Sequence, residues 1–310
     1  MKNLRVIFMG TPDFSVPVLK MLLENTNVLL VVTQPDKKVG RKQEITFSPV
    51  KNVALEHNVP VFQPEKIRND YTKILETPCD LIITCAYGQI IPDAVLNHPS
   101  LGAINVHASL LPKYRGGAPI HWALINGEEK TGVTIMYMAS KMDAGDIISQ
   151  KEYTILKEDN VLTLHEKLSN MGADLLLETL PSIINKTNKR IKQDESLVTF
   201  GFNIKREEEH LNFFDNGKNI INKIRGLNPW PLANATINDQ EFKIIEAYFI
   251  KKENLEPCKV YEILKNAIGI SCNDGIIYIT KIKPFGKKVM NVLDYLNGAN
   301  KEEIKNWRIS

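Results

Sequence analysis

The stretch Leu4-Arg5-Val6-Ile7-Phe8-Met9-Gly10-Thr11-Pro12-Asp13-Phe14 is an apolar run that stops at a glycine and a Thr-Pro-Asp turn. Apolar side chains then recur at helical spacing through Phe14, Leu19, Leu22 and Leu23. A buried-type strand, a tight turn and an amphipathic helix, in that order, open a doubly wound α/β domain. Working outward, residues 28–33, 80–86, 103–106 and 133–138 are further short β-rich runs, with a polar loop over 35–48 and a helix expected over 49–57. The alternation predicts a Rossmann-like, mostly parallel sheet with helices on both faces. Such sheets bind ligands beyond the carboxyl ends of their strands, so the residues just after each run are the candidates for chemistry.

Residues 161–184 read as one amphipathic helix, with Leu164, Leu168, Leu175, Leu176 and Leu180 on its apolar side. Periodicity then disappears, and the chain becomes rich in Lys, Asn, Glu and Asp. We therefore expect a first domain over residues 1–188, a linker over 189–208 and a C-terminal domain over 209–310. In that last part a helix near 215–225 precedes short β-type runs over 232–282. Polar turns such as Asn238-Asp239 and Asn273-Asp274-Gly275 separate them, as in a small OB-like β-barrel.

The composition fits two folded domains. A chain of 310 residues that is 43% hydrophobic and 24% charged is neither disordered nor a collagen-like repeat nor a disulfide scaffold. Residues 1–208 balance 24 basic against 24 acidic side chains, so the whole surplus of +3 falls in residues 209–310. A polyanion near the C-terminal part is the expectation. Cys79, Cys85, Cys258 and Cys272 form no C-x-x-C pair, so no metal site is expected. No apolar run approaches the ~20 residues of a membrane helix, and the N-terminal apolar segment is too short for a signal peptide. Reduced thiols and a cytoplasmic location without membrane contact are expected.

The densest polar cluster is Ile104-Asn105-Val106-His107-Ala108-Ser109-Leu110-Leu111-Pro112. Strand alternation puts Asn105 and His107 on one face, with Ile104 and Val106 on the other. An amide and an imidazole side by side can hydrogen-bond one carbonyl oxygen and stabilise the oxyanion of acyl transfer. A second cluster, Lys141-Met142-Asp143-Ala144-Gly145-Asp146, offers a carboxylate that could take a proton or orient His107. An ordinary Asp-x-Gly turn accounts for the same residues equally well. Other constellations fail on spacing. No Gly-x-Ser-x-Gly elbow presents a serine, His165-Glu166-Lys167-Leu168-Ser169 lacks the second histidine of a zinc-protease helix, and no phosphate-cradling glycine loop exists.

These clusters sit among longer motifs. They are Phe8-Met9-Gly10-Thr11-Pro12-Asp13-Phe14, Thr33-Gln34-Pro35-Asp36, Ala86-Tyr87-Gly88, Tyr114-Arg115-Gly116-Gly117-Ala118-Pro119-Ile120, Thr131-Gly132-Val133-Thr134-Ile135-Met136 and Asn228-Pro229-Trp230-Pro231. With them the chain resembles the methionyl-tRNA formyltransferases over essentially its full length. The motifs over 104–120 and 131–146 are shared with other users of 10-formyltetrahydrofolate, and those of the C-terminal part narrow the match. The resemblance implies formyl transfer from 10-formyltetrahydrofolate to the α-amine of methionine on initiator tRNA, for translation initiation. Asn105, His107 and Asp143 would be catalytic, without a metal. Ser109, Leu110, Leu111 and Pro112 would line the folate pocket, and the backbone of Tyr87, Gly88, Gln89 and Ile90 would meet the pterin edge. The polar loop with Arg41 and Lys42 would be an arm that enters the acceptor stem of the tRNA, and Lys281, Lys283, Lys287 and Lys288 would contact its phosphates. A monomer is expected. The alternative is a formyltransferase acting on a small amine such as an amino sugar or glycinamide nucleotide.

Overall fold

The computed structural model describes residues 1–39 and 43–310. Its contacts divide the chain into two units. The first comprises Met1–Pro119, Lys130–Thr154 and His165–Phe202, and the second Ile120–Glu129, Ile155–Leu164 and Asn203–Ser310. Residues 189–202 of the expected linker thus group with the first unit. They have no apolar periodicity, and polar contacts hold them there.

The first unit is built on strands β1 (Arg5–Gly10), β2 (Asn27–Val32), β5 (Val61–Phe62), β6 (Leu81–Cys85), β7 (Ala103–His107), β8 (Lys130–Tyr137) and β9 (Ile147–Thr154). A separate antiparallel ribbon pairs β3 (Lys37–Val39) with β4 (Glu44–Thr46). The sheet order is β5-β2-β1-β6-β7-β8-β9. Its first five strands run parallel, and β8 and β9 are added antiparallel at one edge. Strands β1 and β6 are apolar at almost every position because both sheet faces are covered. Strand β9, Ile-Ile-Ser-Gln-Lys-Glu-Tyr-Thr, lies at the edge, where charged side chains are tolerated, and so lacks the apolar signature that marks the others.

Helix α1 (Val16–Asn25) follows β1 through the expected turn. Gly10 is required there, since a Cβ would lie 2.9 Å from the Cys85 carbonyl. Helix α2 (Pro49–Glu56) starts at Ser48, whose Oγ accepts from Lys51 N at 3.0 Å, with Pro49 in the first turn. Short helices α3 (Thr72–Leu75), α4 (Asp93–Leu96) and α5 (Pro119–Ile125) precede the long α6 (Val161–Ile184). A Cβ on Gly172 of α6 would lie 2.8 Å from Val106. Helix α6 therefore covers the face of β7 that carries Val106, opposite the face of Asn105 and His107.

The second unit carries helix α7 (Gly217–Gly226) and strands β10 (Ala233–Ile237), β11 (Gln240–Lys251), β12 (Val260–Ile263), β13 (Ile268–Cys272), β14 (Gly275–Lys283) and β15 (Met290–Asn291). The sheet follows the path β10-β11-β14-β13-β12, all antiparallel, with β15 on β14. Asn238 and Asp239 both take positive φ, 47° and 64°, as a two-residue hairpin turn requires. Helices α8 (Val292–Asn297) and α9 (Lys301–Lys305) close the chain. Phe213, Ile220, Ile224, Ile244, Ile270, Ile279 and Trp307 belong to one buried core. No helix among the described residues is long and apolar enough to cross a membrane.

Candidate functional site

Strand β7 carries two of the expected residues in the alternation read from the sequence. The Thr84 hydroxyl on neighbouring β6 lies 2.7 Å from Asn105 Oδ1 and donates to it. This fixes the amide plane and leaves Nδ2 as a donor that no described residue occupies. His107 is buried. Its Nε2 lies 2.9 Å from the Tyr114 carbonyl, and a carbonyl can only accept, so Nε2 carries a proton. Nδ1 is the remaining nitrogen, and it lies 3.7 Å from Asp143 Oδ2. Tyr114 holds φ at 58°, an uncommon conformation for a bulky side chain, and its carbonyl is the group that meets His107.

Asp143 comes from the connection between β8 and β9. It too has positive φ, 49°, and its Oδ2 accepts from Gly116 N at 2.8 Å. Its own carbonyl accepts from Gln193 Nε2 at 2.7 Å, and the same amide reaches the Gly145 carbonyl at 2.8 Å. A Cβ on Gly145 would run into the Tyr137 carbonyl, so this loop lies hard against β8. Asn105, His107 and Asp143 are thus brought together. Thr84, Tyr114, Gly116 and Gln193, which support them, show no periodicity or spacing that ties them to the site in the sequence, and the motif over 114–120 by itself gives Tyr114 and Gly116 no role.

Ser109 is buried directly beyond the strand, and its Oγ donates to the Lys113 carbonyl at 2.6 Å. Thr134 Oγ1 donates to the Ser109 carbonyl and accepts from Leu111 N. Leu110, Leu111 and Pro112 therefore leave β7 along a tethered path. Tyr87, Gly88, Gln89 and Ile90 follow the adjacent parallel strand β6. The Tyr87 carbonyl accepts from Thr11 Oγ1 and Gln34 Nε2, both at 3.1 Å, and Gln89 Oε1 accepts from Ile67 N at 2.8 Å. Ile90 is 87% exposed, an apolar side chain displayed at the rim of this loop. A cavity of about 740 Å³ lined by Asp93, Leu96, Ala103, Met138, Ala139 and Ser140 lies at the amino-terminal end of β7, and Asn105, His107 and Asp143 are not among its lining residues.

In the second unit Lys281 and Lys283 lie on β14, and Lys287 and Lys288 in the turn before β15. Lys281 pairs with Glu246 across the sheet at 3.0 Å, which offsets part of its charge. Lys283, Lys287 and Lys288 are exposed. Trp230 stands edge-on to His121, ring centroids 6.0 Å apart. Arg41 and Lys42 lie outside the described residues.

The formyl transferase family model matches residues 2–180, and the model of the formyl transferase C-terminal domain matches residues 203–300. A methionyl-tRNA formyltransferase of Staphylococcus epidermidis is 52% identical over 298 residues, 95% of this chain and 96% of the relative. One from Staphylococcus aureus is 51% identical over 299 residues, with the same coverage of both chains. Among solved structures, an N-formyltransferase from Helicobacter canadensis, in complex with folinic acid and dTDP-3-aminofucose, superposes with a TM-score of 0.68 at 21% identity. It covers 91% of this chain and all of its own. A sugar 3N-formyl transferase, solved in the presence of dTDP and 5-N-formyl-THF, gives 0.66 at 23% identity, over 92% of this chain and 99% of its own. At those identities the two structures speak to the fold alone.

Proposed function

We propose that this chain, which belongs to the formyl transferase family, moves a formyl group from a folate donor to the amine of methionyl-tRNA. The donor is 10-formyltetrahydrofolate and the acceptor the α-amine of methionine on initiator tRNA, giving N-formylmethionyl-tRNA for translation initiation. The observation that carries the acceptor is the close match to the staphylococcal methionyl-tRNA formyltransferases across both units. The enzyme is expected to work in the cytoplasm, as a monomer and without a metal.

In this reading the amine attacks the formyl carbon and its oxygen becomes an oxyanion. The bond from that carbon to N10 of the folate then breaks, N10 gains a proton and the former amine loses one. Asn105 Nδ2 donates to the developing oxyanion, its amide held by Thr84. Because His107 Nε2–H is committed to the Tyr114 carbonyl, Nδ1 is the nitrogen that faces the chemistry. A proton there gives the oxyanion a second donor, and the Asp143 carboxylate balances the resulting charge. Asp143 also accepts the amine proton through water. Ser109, Leu110, Leu111 and Pro112, with the loop from Tyr87 to Ile90, flank the donor.

Lys283, Lys287 and Lys288 contact tRNA phosphates, with a smaller contribution from Lys281 because of its pairing with Glu246. The test supplies purified protein and 10-formyltetrahydrofolate with methionyl-initiator tRNA, then with amino-sugar nucleotides and glycinamide ribonucleotide. Formylation of the tRNA alone is expected, and transfer only to a small amine would overturn the reading. Replacing Lys287 and Lys288 by Ala should lower the slope of log affinity against log salt by about 2, with turnover at saturating tRNA unchanged.

A further inference from the structure

We propose that residues 193–201 form a positioning strap for the His107–Asp143 pair, with Gln193 the side chain that sets the Asp143 loop. The inference rests on the reading of that pair as the reacting groups. The segment has no apolar periodicity, yet polar bonds engage it at both ends.

At one end Arg115, only 4% exposed, directs Nε and Nη2 at Gln193 Oε1, at 3.0 and 2.9 Å. Nη2 also meets Glu195 Oε1 at 2.8 Å. A guanidinium has only donors, so it decides which end of the Gln193 amide is oxygen. Nε2 is thereby turned toward the Asp143 and Gly145 carbonyls, and both of its hydrogens are used. Asp143 sits in the left-handed region, φ 49°, uncommon for a residue with a side chain, and the surrounding bonds hold it there.

At the other end Thr199 Oγ1 accepts from Tyr114 N and its carbonyl accepts from Arg115 N, both at 2.9 Å. Gly201 exchanges bonds with Arg115 and Ala118 at 2.8 Å. Gly116 permits this approach, because a Cβ there would lie 2.8 Å from the Gly201 carbonyl. Residues 114–116 supply the carbonyl that meets His107 and the N–H that meets Asp143. One segment therefore sets the direct partners of both groups.

The test is a double-mutant cycle. Gln193→Met keeps the length and removes the donors. It should lower kcat about 10- to 100-fold with both KM values within about threefold, and by less than about twofold in an Asp143→Asn background. Equal losses in the two backgrounds, or none in the first, would overturn the proposal. If Gln193→Met does not fold, Thr199→Val takes its place, with Thr199→Ser expected to restore kcat and failure to restore it counting against the strap. If the wild type transfers no formyl group to methionyl-tRNA, the functional reading falls. The strap is then decided by the imidazole nitrogen resonances of His107, expected to move in Gln193→Met. Unmoved resonances would refute it.

Discussion

Asn105 and His107 stand on a strand, whereas Asp143 stands on a loop. On β7 the ladders to β6 and β8 already fix where each side chain points, and one further bond to each, from Thr84 and to the Tyr114 carbonyl, completes the placement. The Asp143 loop has no such ladder. It holds a positive φ, lies against the Tyr137 carbonyl at Gly145, and depends on Gly116 and Gln193, residues distant in sequence. A strand passes its regularity to its side chains. A loop must obtain the same precision from many separate polar bonds, so the two halves of the site should fail in different ways.

The largest effect should come from the strand half when the reacting donor itself is removed. Asn105→Ala is expected to lower kcat about 10²- to 10³-fold with an unchanged thermal midpoint, measured by single-turnover formyl transfer and calorimetry. In the loop half an indirect change should reach both properties. Gly145→Ala forces a Cβ into the Tyr137 carbonyl and should cost about 1–3 kcal/mol of stability, read by urea denaturation, with a fall in kcat. If it left kcat untouched, the loop would not be what holds Asp143.

A remote change in the strand half should do less. Thr84→Val preserves shape but leaves Asn105 Oδ1 without its donor, and should lower kcat by less than about tenfold because the ladder still holds the amide in place. The smallest effect concerns acid. The hydrogen bond from Arg115 holds the Glu195 carboxyl below its ordinary range. Its contribution is therefore complete above the ordinary glutamate range and fades as pH falls through the lowered value. The small difference in thermal midpoint between wild type and Glu195→Gln should accordingly shrink from neutral pH to below about pH 4.

The same contrast governs what could be read in advance. Period-two alternation over residues 104–107 placed Asn105 and His107 on one face, and β7 carries them so. The opening strand, turn and helix announced the parallel sheet, because both of its faces are apolar. Edge strand β9 leaves no such trace because most of it is polar. Asp143 could be singled out as an acid in a turn after a strand, but not distinguished from a common turn. Gln193, Thr199 and Arg115 meet their partners through polar bonds that span 48 to 85 residues of chain, a pairing with no periodic trace in a sequence.

On the proposed function, the end of β7 performs the transfer while the other unit holds the tRNA. The most direct measurement is single-turnover formylation of methionyl-tRNA by His107→Ala, alongside its tRNA affinity. A rate at least about 10²-fold below wild type with affinity unchanged within about twofold is the predicted result. Formylation at the wild-type rate, or a loss explained entirely by weaker tRNA binding, would contradict it.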